Sequence, residues 1–368
     1  MRPWAVRSGA PQCRAGGGVL RCAASLAGVL LVLLSAPASS RAEPNANLLN
    51  EAGLQFLTRG RVEEAIGKFT EAIEIREKHA EAHANRGYAY SMLSRPEDAL
   101  ADLDRAIEIE GNNAQFLYLR GNIRARSGDH EGAIRDYSQS LRHIRPDPWI
   151  LLRRAEAREA LGQSSLALKD YSDAIRHGPL SAHFHTRRGL FHLNAGRHDS
   201  AIADFSRAAL LDSDDATIFH HRGIAWAARG RYDSALADYD ASEKLNPNDP
   251  LLHNNRGNAR KALGDIRGAI ADYDAAIRLD PRDAVAYLNR GTVHQIEGRR
   301  GEAERDMAAA LAISPTLKDV CAAILNPAIS PPIGDSATAA GGELVEEVRT
   351  SPRRRRGHRN KDLTRSDR

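Results

Sequence analysis

Residues 250–283 read PLLHNNRGNARKALGDIRGAIADYDAAIRLDPRD, and residues 284–317 read AVAYLNRGTVHQIEGRRGEAERDMAAALAISPTL. Laid one over the other at a shift of 34, Arg256 meets Arg290, Gly257 meets Gly291, Gly264 meets Gly298, Ala269 meets Ala303 and Asp272 meets Asp306. Working outward, the register holds without insertion back to Ala46. Position 8 of the unit is Gly53, Gly87, Gly121, Ala155, Gly189, Gly223, Gly257 and Gly291. Position 20 is alanine each time, from Ala65 to Ala303. A fixed period of this length marks stacked helical repeats, in which each unit buries its apolar face only against its neighbours.

The chemistry inside one unit predicts two helices. Position 15 is glycine in seven units and Ser94 in the other, a turn that asks for φ > 0. Position 24 is Phe69, Leu103, Tyr137, Tyr171, Phe205, Tyr239, Tyr273 or Met307, large enough to fill the space left by the small residues at 8 and 20. Asn113, Asp147, Ser181, Asp215, Asp249 and Asp283 stand at position 34 as N-caps for the following unit. Pro148 and Pro250 suit the first helical position, while Pro179, Pro247, Pro281 and Pro315 stop second helices. The prediction is an all-α chain of eight helix-turn-helix units at 46–79, 80–113, 114–147, 148–181, 182–215, 216–249, 250–283 and 284–317. A short capping helix at 318–326 follows.

The small residue at 8, alanine at 20, aromatic at 24 and proline at 32 resemble the tetratricopeptide repeat family, over about three quarters of the chain. Position 4 is rarely aromatic and position 32 is proline in only four units, which are mild departures. The resemblance implies a right-handed α-solenoid whose first helices line a concave, peptide-binding groove.

Outside the repeats, residues 1–42 contain five arginines and no acid, with an apolar centre at Ser25–Leu34. This reads as a secretory signal with cleavage after Ala38 or Ala42, the alternative being an uncleaved inner-membrane anchor, and in either case as export to the periplasm. Residues 327–368 read as a disordered tail ending in the basic run Arg353-Arg354-Arg355-Arg356-Gly357-His358-Arg359. The net positive charge of the chain, formally +4, comes from these two ends. The repeats themselves are net acidic, which argues against a specific nucleic-acid binder. The tail suits weak contact with anionic lipid or polymer.

The chain carries no catalytic motif, and no cofactor or enzymatic role is expected. The histidines at positions 4 and 11 (His83, His185, His253, His192, His294) read as packed between helices, so no metal site is expected. Arginine at position 7 (Arg86 to Arg290) and aspartate at position 23 (Asp102 to Asp306) predict a ladder of ion pairs through repeats two to eight. Each pair would contribute only about 0–1 kcal/mol if exposed. Cys321 reads as a buried apolar group of the cap.

Groove candidates come from first-helix positions. Asn85, Asn255 and Asn289 share position 6, where the family's asparagine ladders bind the backbone of an extended peptide. Tyr118, Asn122, Trp149, Arg153, His183, Arg187 and His221 form a polar, basic and aromatic set. Its positions resemble the family's carboxylate clamp, but only Asn122 and Arg187 match by type. Tyr118, Arg153 and His183 replace Lys, Asn and Lys. The expected partner is a protein or extended peptide, with an acidic or carboxylate-bearing segment suited to the arginines.

Overall fold

A computed structural model of the chain describes residues 44–326. The signal segment and the basic tail read from the sequence lie outside the described residues. Within them stand seventeen α-helices and no strand. The helices are α1 (Pro44–Thr58), α2 (Val62–Ile75), α3 (Ala80–Met92), α4 (Pro96–Ile109), α5 (Ala114–Arg126), α6 (His130–His143), α7 (Pro148–Ala160), α8 (Ser164–His177) and α9 (Ala182–Asn194). After them come α10 (His198–Leu211), α11 (Ala216–Ala228), α12 (Tyr232–Leu245), α13 (Pro250–Ala262), α14 (Ile266–Leu279), α15 (Ala284–Ile296), α16 (Arg300–Ile313) and the terminal α17 (Lys318–Leu325). Odd-numbered helices up to α15 are the first helices of the eight repeats, and even-numbered ones are the second. The chain divides into two compact units, one ending at Ala167 and the other starting at Leu168, inside α8.

The turn within each repeat is made as the sequence requires. The seven position-15 glycines have φ between 66° and 86°, and Ser94 is held at φ 57°, the one described non-glycine residue with positive φ. Close approach explains the small residue at position 8. A Cβ built on Gly121 would lie 2.7 Å from the Tyr137 ring, and one on Gly257 would lie 2.7 Å from the Tyr273 ring. Position 24 therefore fills the hollow that position 8 leaves, and its side chains are buried.

In the first unit, Phe69 packs with Leu54, Leu57 and Ala89, while Leu103 packs with Phe116 and Ile123. In the second unit, Phe205 packs with Ile218 and Ala225, and Tyr239 packs with Leu252 and Ala259. Cys321 of α17 lies buried beside Met307, Ala310 and Leu317, so α17 covers apolar surface of the last repeat.

Five of the six expected position-34 caps accept backbone N–H bonds: Asn113, Asp147, Asp215, Asp249 and Asp283. Ser181 does not; its side chain makes no capping bond. Among the second helices, Asp129 and Asp265 cap α6 and α14 in the same way, whereas α2, α4 and α12 use a different device. Arg61 lies over the Phe56 ring, Arg95 over Tyr90, and Arg231 over Trp226, each cation resting on an aromatic of the preceding helix.

The Arg–Asp ladder is present, and it is buried rather than exposed. Arg86–Asp102, Arg120–Asp136, Arg188–Asp204, Arg222–Asp238, Arg256–Asp272 and Arg290–Asp306 each meet through at least two N–H···O bonds. The aspartate side chains of these pairs are 2–9% exposed. The surface-pair magnitude expected from sequence is therefore too small, because removing either partner leaves a charge with little water.

The ladder arginines have a second partner that the 34-residue pattern does not announce. Each ladder arginine sends Nη1 back to position 25 of the preceding repeat. These bonds are Arg86 to Thr70, Arg120 to Asp104, Arg154 to Ser138, Arg188 to Ser172, Arg222 to Ser206, Arg256 to Asp240 and Arg290 to Asp274. One guanidinium thus clamps two repeats together.

The histidines pack onto this ladder. His83 Nδ1 lies 3.2 Å from Asp102 Oδ1, and its Nε2 lies 3.0 Å from the Glu77 carbonyl oxygen. His185 and His192 both approach Asp204, at 3.4 and 3.9 Å, and His294 approaches Asp306 at 3.7 Å. Burial pushes the Asp102 and Asp204 carboxyls upward, but Arg86 with His83, and Arg188 with His185, outweigh it and hold both below the usual range. These histidines occupy the packed positions that the sequence suggested. Among the described residues no group of three His, Cys, Asp or Glu side chains is arranged to hold a metal ion.

Candidate peptide-binding surface

Packing consumes positions 4, 7, 8, 11, 20, 23 and 24, so a partner is met by other first-helix positions. In the first unit the candidates separate into two kinds. Asn85 is only 1% exposed, and its Nδ2 donates to Asn50 Oδ1 at 2.9 Å. It joins α1 to α3 and is not available at a surface, contrary to the expectation for position 6. The physical reason is register: position 6 of one repeat faces position 5 of the repeat before it.

Farther along the same unit, Trp149 is 45% exposed at the start of α7, and Arg153 is exposed one turn later. Asn122 Oδ1 accepts a bond from Tyr137 Oη at 2.8 Å, which fixes the orientation of its amide. The half-buried Tyr118 ring lies 6.1 Å from the Tyr137 ring. Arg153 is not an uncompensated cation, since Nη1 donates to Glu156 Oε2 at 2.9 Å. Burial disfavours its charge, but Glu156 and the Tyr118 hydroxyl more than offset this and raise its pKa. Tyr118, Asn122 and Arg153 thus form a polar and aromatic patch that is close to neutral. The expected basic patch is neutralised at Arg153 by Glu156, three residues along the same helix.

In the second unit, His183 is exposed, and Arg187 and His221 are half-buried. Burial, followed by the neighbouring His220, lowers the His221 pKa to about 4, so the ring is neutral at ordinary pH. It stacks on Phe205 at 5.9 Å and on His220 at 5.7 Å. His221 is therefore an aromatic surface rather than a positive charge.

Asn255 and Asn289 repeat the register seen at Asn85 but remain half-buried. Asn255 Nδ2 lies 3.1 Å from His220 Nε2, and Asn289 Nδ2 donates to Asn254 Oδ1 at 2.9 Å. His220 Nδ1 in turn faces Asp249 Oδ2 at 3.2 Å. The partners at position 5 (Asn50, His220, Asn254) were legible as polar residues 35 positions earlier. Nothing in a 34-residue period announces that offset.

A cavity of about 380 Å³ in the second unit lies elsewhere, lined by Glu243, His253, Arg256 and Asp272 on the ladder side. It touches none of the candidate residues.

Family models match along the chain. A model described as TPR repeat matches residues 53–94, 226–264 and 257–296, and two described as tetratricopeptide repeat match 152–216 and 80–113. The chain belongs to the tetratricopeptide repeat family.

Among solved structures, a tetratricopeptide repeat protein from Parabacteroides merdae superposes with TM-score 0.52 at 22% identity, covering 68% of this chain and 99% of that one. The C-terminal part of a TPR repeat-containing protein from Cytophaga hutchinsonii gives TM-score 0.55 at 17% identity, covering 65% and 98%. PilW, a type IV pilus biogenesis factor, gives 0.53 at 16% identity, covering 57% and 98%. At these identities the likeness shows the tetratricopeptide repeat fold and nothing of ligand or pathway. No curated protein matches the sequence significantly. The fold is a protein-interaction scaffold, built from repeats that present side chains on preformed helices.

Proposed function

We propose that this protein is a non-enzymatic scaffold or adaptor that binds a protein or extended peptide on its first-helix surface and works in the bacterial envelope. The observation that carries the reading is the division of labour within each repeat. The charges most regular in sequence are tied up between helices, whereas Trp149, Arg153 and His183 stay exposed on first helices. Rigid helices lose little freedom on binding, so a few aromatic and polar contacts are enough for affinity. The apolar stretch at Ser25–Leu34 with its arginine-rich flank supports export. Among the described residues no helix is long and apolar enough to cross a membrane.

A second reading rests on the run Arg353–Arg356, which suits attachment to anionic lipid or cell-wall polymer, with the repeats as spacer. Cross-linking capture from an envelope fraction, using wild type beside Arg153→Glu, tests the first reading. A partner held by wild type and weakened by the variant supports it. Lost localisation after deleting residues 351–368, with partner capture intact, supports the second. Equal capture by wild type and Arg153→Glu removes the Arg153 patch from the first reading.

A further inference from the structure

Charge is distributed unevenly in the second unit. Its four first helices, α9, α11, α13 and α15, contain no aspartate or glutamate, whereas each second helix carries at least two. The cations on those first helices are mostly accounted for. Arg188, Arg222, Arg256 and Arg290 are held by ladder aspartates, and Arg260 pairs with Asp272 at 2.8 Å.

Lys261, near the end of α13, is the exception. It is half-buried, and among the described residues nothing forms an ion pair or hydrogen bond with its ammonium. Burial alone lowers its pKa. A desolvated ammonium without a counter-ion is unfavourable by itself and becomes favourable when a carboxylate docks against it.

The neighbours of Lys261 suit a peptide backbone. Gln295 holds the equivalent position one repeat later, on α15, and its Oε1 is buried without a hydrogen-bond partner. One turn before Lys261, Asn258 accepts from Tyr273 Oη at 2.8 Å, which leaves its NH2 group without a partner among the described residues. Asn255 and Asn289 each use one amide hydrogen between repeats and keep a second. A peptide amide offers one donor and one acceptor per residue, which is what this set can answer. No acidic side chain on these helices competes for the lysine.

We propose that the α13–α15 face of the second unit is a docking site for an extended peptide bearing an aspartate or glutamate side chain, whose carboxylate pairs with Lys261 while Asn255, Asn258, Asn289 and Gln295 hold its backbone. This rests on the peptide-binding reading above and deepens it. The carboxylate is assigned to a side chain because backbone-binding amides stand both on Lys261's own helix and on the next.

The test uses the full chain against an array of twelve-residue peptides, acetylated and amidated. Each is printed beside a copy in which Asp and Glu are replaced by Asn and Gln. A charge-assisted contact of this kind predicts that the amide copies bind wild type about tenfold to hundredfold more weakly. Lys261→Met is expected to lose that discrimination, and Lys261→Arg to keep it.

Folding is not the obstacle, because Lys261→Met removes an uncompensated, half-buried charge. Bound acidic peptide should also slow modification of Lys261 by an amine-reactive label, read by mass spectrometry, whereas the amide copy should not. Acid-indifferent binding, or discrimination that persists in Lys261→Met, overturns this inference and leaves the peptide-binding reading standing. Selection only of peptides with a free C-terminal carboxylate overturns the side-chain assignment. Absence of binding by every peptide overturns this inference together with the extended-peptide form of the reading above.

Discussion

Arg188→Ala and Asp204→Ala probe one complete rung of the ladder. Arg188 Nε donates to Asp204 Oδ2 at 2.8 Å and Nη2 donates to Oδ1 at 2.7 Å, while Nη1 reaches Ser172 at 3.1 Å. The Asp204 side chain is 6% exposed and that of Arg188 24%. An exposed pair would contribute about 0–1 kcal/mol. Removing one partner of a buried pair costs about 3–5 kcal/mol, most of it from the charge left behind.

Arg188 keeps some water and a hydroxyl partner, so Asp204→Ala is expected to cost about 2–3 kcal/mol. Arg188→Ala strands the more buried Asp204, with His185 and His192 as its remaining neighbours, and is expected to cost about 3–4 kcal/mol. The double variant leaves neither charge stranded and should cost at least 1 kcal/mol less than the sum. Urea unfolding of the four proteins measures the cycle, with hydrogen exchange over α9 and α10 to localise the effect. Additivity within about 0.3 kcal/mol would refute the pairing argument, whatever the size of the single effects.

Other consequences are quicker to check. Gly121→Ala should destabilise by about 1–3 kcal/mol although alanine favours helix, because its Cβ would lie 2.7 Å from the Tyr137 ring. Gly67→Ala, with nothing within 4 Å of the new Cβ, should instead stabilise by up to about 1 kcal/mol; thermal melts compare the two. Ser94→Gly relieves the residue at φ 57° and should raise the melting temperature; an unchanged or lower value counts against strain at that turn. His221 should titrate near pH 4 by NMR, not near its ordinary value. Its lowered folded-state pKa means that the unfolded chain takes up the proton first. This contribution to stability is complete above about pH 6.5 and is lost as the pH falls toward 4, and His221→Phe should flatten that slope.

The repeat period made the fold legible because the contacts that define one repeat recur at a constant spacing. Gly121 against Tyr137 and Arg188 against Asp204 are both separated by 16 positions inside a unit. What stayed hidden depends on how successive repeats are rotated against each other, a quantity no single repeat encodes. The bonds from Asn85 to Asn50 and from Asn289 to Asn254 bridge 35 positions; the first turns an expected ligand-binding amide into a buried link between repeats, and the second engages one amide hydrogen of Asn289. Arg153 shows a different limit: its partner Glu156 is three residues away on the same helix, yet a lone arginine on a first helix reads as a basic patch. Lys261 is visible in the sequence as one basic residue among many, and only burial without a counter-charge sets it apart.

The backward reach of the ladder arginines gives the array a direction. Each arginine carries its own aspartate 16 residues ahead and finds a hydroxyl or carboxylate 16 residues behind, from Thr70 below Arg86 to Asp274 below Arg290. A chain that emerges from the ribosome N-terminus first therefore presents the acceptor of every clamp before the arginine that will close it. Each newly made repeat can latch onto the one already formed without waiting for anything downstream, so synthesis order and assembly order coincide.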